Sequence, residues 1–194
     1  MPRPPSSLAS PQTQWLRTYY FVRAIVSIGW IALAVAIGRN SPLFGAVLFV
    51  AYPAWDALAN LIDAHRSGGL RANPTQTVNL ATSVITAAFV AVALNIGIPA
   101  VIQVFGGWAI LSGLLQLATG IRRWKVAGAQ WAMVLSGGQS VLAGAFFFKR
   151  AAAGFPLDVT TVAPYAAFGA FYFFLSAIWL TVWARPRSPA HVAG

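Results

Sequence analysis

The chain has no cysteine and no glutamate, and its acidic residues are only Asp56, Asp63 and Asp158. Each absence closes a class of chemistry. Without cysteine there is no disulfide, no thiolate nucleophile and no sulfur metal ligand. The two histidines are His65, in a polar loop, and His191, in a Pro-rich tail, which argues against a multi-histidine metal centre within one chain. A carboxylate pair for acid–base work would have to be Asp56 and Asp63. On a helix, seven residues separate them by roughly 10 Å, too far to share a proton. No Gly-rich phosphate loop with lysine, no HExxH and no CxxC is present. The expectation is a protein that is not an enzyme, with no catalytic, metal or cofactor-binding residues, no cofactor and no identifiable small-molecule substrate.

What the chain has instead is apolar surface. Apolar residues make up 58% of it and charged residues 8%, against about 25% charged in a typical soluble domain. Such a composition suits a fold solvated by lipid. The net charge of +10 comes from short basic clusters between long apolar runs, so the charges orient the chain and meet anionic headgroups of membrane lipids. No polar domain presents a basic face to nucleic acid.

A membrane-crossing helix needs roughly 20 apolar residues. Six such runs are present: Tyr19–Gly38, Leu43–Ile62, Thr77–Ile96, Pro99–Ile121, Gln130–Phe148 and Tyr165–Trp183. They are too long and too evenly apolar for barrel strands. The expected fold is an all-α membrane protein, a six-transmembrane-helix bundle built from three helical hairpins. Residues 1–14 are expected as a disordered cytoplasmic tail, 15–184 as the transmembrane domain and 185–194 as a second cytoplasmic tail. With the N-terminus inside, Arg3, Arg17, Arg23, Arg66, Arg71, Arg122, Arg123, Lys125, Arg185 and Arg187 fall on the inner side, and only Arg39, Lys149 and Arg150 on the outer. That asymmetry predicts a bacterial inner-membrane protein with both termini cytoplasmic. A competing reading takes Ala32-Leu33-Ala34 or Ala34-Val35-Ala36 as a signal-peptidase site; Arg23 interrupts the preceding apolar run and speaks against it.

The even-numbered spans align with one another. A shift of 56 residues places Asp56 on Ser112, Asn60 on Gln116, Asp63 on Thr119 and Arg66 on Arg122, and a shift of 63 places Trp108 on Phe171 and Arg122 on Arg185. The stretch Trp108-Ala-Ile-Leu-Ser-Gly113-Leu-Leu-Gln116, with Arg122-Arg123-Trp124 and then Gln130-Trp131, Ser136-Gly137-Gly138 and Gly144, resembles the HdeD-like family of small bacterial inner-membrane proteins. The resemblance implies six helices made of short membrane repeats and, as for the namesake, a contribution to acid-stress resistance. It brings no catalytic residues with it.

Charges inside a span cost roughly 2.5–3.5 kcal/mol each on insertion scales and demand an account. Arg23 and Asp56 lie about equally far from the turn at Arg39–Pro42, so an antiparallel hairpin sets them at similar depth. Asp56, Asn60 and Asp63 share one helical face, and by the same count Asp63 lies near Arg17. Two roles are open: an ion pair that fixes the hairpin's register, or a polar pathway on the inner half of the bundle. A third account has Arg23 snorkelling alone to the headgroups. Pro53 kinks the second span just before Asp56. Gln103, Gln116, Gln139 and Asn79 are expected to hydrogen-bond between helices. Ser136, Ser140 and Gly144, like Gly106, Gly113 and Gly120, are expected to mark close helix contacts, within one chain or between copies. The functional expectation is a structural or stress-related protein acting through lipid, a second copy or another membrane protein. The alternative is a small transporter or channel with a polar route around Asp56 and Arg23.

Overall fold

The computed structural model describes residues 11–122 and 130–183, and these form six long helices. The helices are α1 (Pro11–Ala36), α2 (Pro42–Arg66), α3 (Pro74–Ala93), α4 (Ile98–Arg122), α5 (Gln130–Ala152) and α6 (Ala163–Trp183). Arg3, Arg123, Trp124, Lys125, Arg185, Arg187 and His191 lie outside the described residues. α1 begins at Pro11, inside the stretch expected to be a disordered tail. The hydrophobic run starts later, but Pro11 suits a first helical turn and nothing after it breaks the helix.

The turns follow from local chemistry. Ser41 caps α2 by accepting from the Phe44 amide at 3.4 Å, and Pro42 fills its first turn. After α2, Gly68 and Gly69 take positive φ, and the Asn73 side chain donates to the carbonyls of Ser67 and Gly69, both at 2.8 Å. α3 turns into α4 through Gly97 at φ 137°, a conformation that disfavours any side chain.

Five helical segments are long and apolar enough to cross a membrane: those containing α1, α2, α3, α4 and α6. Their outward faces are apolar, with Leu43 80%, Ile25 66% and Val92 61% exposed. Ser27, Asn60, Asp63, Ser83 and Thr86 are buried instead. Apolar outside with polar side chains inside inverts the soluble pattern and marks a membrane protein.

The helix backbones approach one another chiefly between neighbours in sequence, and α6 closes onto α1, so the helices stand in a ring. The closest pairings are α4 with α5, α1 with α6 and α2 with α3. The expected hairpins α1–α2, α3–α4 and α5–α6 are the looser pairs. Glycine placement explains the tightest contact. A Cβ on Gly113 would lie 2.5 Å from the Gly137 carbonyl oxygen, and one on Gly144 2.5 Å from that of Gly106. Two glycine pairs in antiparallel register therefore bring the α4 and α5 backbones into contact within one chain. Of the expected contact residues on α5, Gly144 lies in this seam, while Ser136 and Ser140 turn towards the ring's interior.

One end of the ring is solid. Phe49, Phe105, Phe147, Val101 and Ile102 are at most 2% exposed there. Trp30, Tyr52, Trp108 and Tyr165 interlock with them through ring contacts of 4.8–6.5 Å. The connection before α6 adds to this plug. Asp158 forms a capping box over a single helical turn, Val159–Val162, which drives Val159 and Val162 into the ring, 1% and 0% exposed.

Candidate functional site

Below the aromatic plug the ring encloses a cavity of about 300 Å³, room for on the order of ten waters. It runs from Tyr165 and Trp108 beneath the plug to Asp63, Thr75 and Gln76 at the opposite end of the bundle. Every helix contributes polar groups or aromatic rings to it.

α1 presents Trp15, Tyr19, Arg23 and Ser27 on one face, at four-residue spacing. The Arg23 guanidinium forms an ion pair with Asp56 through Nη2 and donates from Nη1 to the Tyr19 hydroxyl at 2.9 Å. Its plane lies 4.1 Å from the centre of the Phe173 ring on α6, a favourable cation–π arrangement. Its Nε, like Trp55 Nε1, is buried without a hydrogen-bond partner. The second carboxylate oxygen of Asp56 accepts from Asn60 at 3.0 Å and from the Ser83 hydroxyl of α3 at 2.7 Å. Arg23 and Asp56 thus join α1, α2, α3 and α6 at one point, and Arg23 is held rather than snorkelling.

Asp63, one helical turn beyond Asn60, is placed differently from the expectation. Its carboxylate accepts from the Trp15 indole at 3.0 Å and the Gln76 amide at 3.2 Å, and Arg17 makes no ion pair with it. Equal depth was not enough: Arg17 stands two residues from Trp15, roughly 200° around the helix, so its side chain leaves on the other face. Arg66 packs its guanidinium 4.8 Å from the Trp15 ring centre.

The four span amides separate. Gln116 accepts from Ser136 at 3.3 Å and Gln139 from Tyr172 at 3.0 Å, both between helices. Asn79 lines the cavity without a protein partner, and Gln103 is exposed on the outer surface of α4. Reading by depth and hydropathy missed Ser83, Gln76 and Tyr172. A signal for Asn79 and Ser83 is present, because they follow Arg23 and Ser27 by the same 56 residues that relate Asp56 to Ser112.

That offset extends around the ring. Tyr52, Asp56 and Asn60 of α2 answer to Trp108, Ser112 and Gln116 of α4, and 57 residues further to Tyr165, Gly169 and Phe173 of α6. All nine line the cavity. The α4-to-α6 register of 63 aligned the basic ends of the helices; the cavity-facing positions follow the shorter offset. On the odd helices Arg23 answers to Asn79 and, 60 residues further, to Gln139. Three helix pairs thus present corresponding positions to the cavity, and only the first carries the charged pair. Among the described residues no three His, Cys, Asp or Glu side chains converge.

A family model described as a short repeat of unknown function (DUF308) matches residues 81–149, from within α3 to near the end of α5. That family is membrane-associated and of unknown function. No curated protein and no solved structure matches the chain.

Proposed function

We propose that this is a non-enzymatic bacterial inner-membrane protein of six spans, with both termini cytoplasmic, that takes up a small polar solute in its central cavity as a small transporter does. The observation that carries this reading is the cavity of about 300 Å³ inside an apolar-surfaced ring, open to polar groups at one end and plugged by aromatics at the other. A purely structural bundle gains nothing from leaving such a volume unfilled. α5 counts as the sixth span in this reading, because its 23 residues reach about 35 Å and the glycine seam ties it along α4. The lysine and arginine asymmetry supports placing the Asp63 end on the cytoplasmic side, so the cavity faces inward.

A second reading, a structural or stress-related role of the HdeD-like type, has its own support. The Asp56 carboxylate is fully engaged by Arg23, Asn60 and Ser83, which suits a register lock, and the family match covers the middle of the chain. The absence of cysteine makes the test clean. A Ser112→Cys variant in sealed vesicles is expected to react with a membrane-impermeant thiol reagent from the cytoplasmic face only. No reaction from either face would defeat the solute-cavity reading and leave the structural one.

A further inference from the structure

The charges inside the ring do not balance. Arg23 and Asp56 neutralise each other. Asp63 is 5% exposed, and both of its hydrogen-bond donors, the Trp15 indole and the Gln76 amide, are neutral. A buried carboxylate held only by neutral donors keeps most of its desolvation cost. The nearest arginine on its own helix, Arg66, is solvent-exposed and spends its face on the Trp15 ring.

The surroundings of Asp63 are what a cation needs. It sits in the last turn of α2, at the negative end of the helix dipole. Gln76 gives its nitrogen to Asp63, which leaves its carbonyl oxygen unused. Asn60, one turn before Asp63, uses its nitrogen on Asp56 and likewise keeps an oxygen. Asn79, one turn after Gln76, has no protein partner and lines the same cavity. One negative charge among neutral oxygens matches a single positive charge carried by a hard ion or an ammonium group, and the other carboxylate of the cavity, Asp56, is committed to Arg23, Asn60 and Ser83, so no second free carboxylate favours a divalent ion.

We infer that Asp63, with the amide oxygens of Gln76, Asn79 and Asn60, binds a monovalent cation at the mouth of the cavity. This rests on the solute-cavity reading and names the charge of what enters. Metal ion and organic ammonium share the required chemistry, so sodium, potassium and methylammonium chlorides form separate arms of the test. The full chain in lipid nanodiscs is titrated with each salt at constant ionic strength, with N-methylglucamine chloride as the replacement, and the unfolding temperature is followed. The expected result is a saturable rise with at least one of the three, lost in Asp63→Asn, with the apparent affinity weakened several-fold in Asn79→Ala. The same cation slows thiol labelling of Ser112→Cys. If the wild-type unfolding temperature ignores all three cations while Ser112→Cys still labels, the cation inference fails and the cavity reading stands. If Ser112→Cys does not label, the cavity reading itself fails. An unchanged shift in Asp63→Asn would put the cation elsewhere and overturn the assignment. Should Asp63→Asn not fold, the wild-type titration and Asn79→Ala still decide.

Discussion

Asp56→Leu tests whether the buried pair locks the ring. Leucine matches the aspartate in size, so the main effect is electrical. Arg23 keeps its bond to Tyr19 and its seat over Phe173, but loses its counter-charge. Ser83 and Asn60 each lose an acceptor. Removing one member of a buried pair typically costs about 3–5 kcal/mol. The retained cation–π contact, worth about 1–2 kcal/mol, and water in the cavity reduce that, so the expected loss is about 3 kcal/mol. Arg23→Met should cost a similar amount, because it strands Asp56. The double variant removes both charges at once and should lie within about 1 kcal/mol of the wild type, a coupling well above the scatter of additive sites. The assay is reversible unfolding of all four proteins in mixed detergent micelles, followed by circular dichroism. A double variant as unstable as the sum of the singles would refute the reasoning, since the charges would then not depend on each other.

The glycine seam predicts that Gly113→Ala loses about 1–3 kcal/mol by pushing α4 from α5, because the obstacle is a backbone oxygen that cannot move aside. Gly107→Ala on the same helix meets nothing within 4 Å and should be neutral or up to about 1 kcal/mol stabilising by helix propensity; the same unfolding assay separates them, and equal costs would contradict the seam. Trp15→Phe removes the indole donor to Asp63 and should cost about 1.5 kcal/mol, as expected for a bond to a charged acceptor. A topology reporter fused after Arg123 should read cytoplasmic, and a periplasmic signal would reverse the proposed orientation.

The parts of this architecture that were legible in the sequence are those set by one dimension. Spans follow from runs of apolar residues, and the depth of Arg23 and Asp56 follows from counting to the turn at Arg39–Pro42. What depends on direction around the helix was harder. Arg17 has a suitable depth but the wrong azimuth, whereas Trp15 shares the face of Arg23 and reaches Asp63. Ser136 and Ser140 carry the same small-residue signature as Gly137 and Gly144, yet line the cavity because they sit on the neighbouring face of α5. Helix pairing was also hidden. The expected hairpins were α1–α2, α3–α4 and α5–α6, but the backbone approach permitted by the glycines made α4 and α5 the tightest neighbours. The cavity needed all six helices in place, since no single segment contributes enough polar groups to announce it.

The uneven charging of the three repeats has a consequence for anything that enters. Three helix pairs line the cavity with corresponding positions, but the first has Arg23 and Asp56 where the others have Asn79 with Ser112 and Gln139 with Gly169. The electric field inside is therefore lopsided, strongest beside α1 and α2 and weak across from them. On the solute-cavity reading proposed above, a guest would be drawn away from the centre line towards that wall, with its polar end oriented before it touches the opposite side.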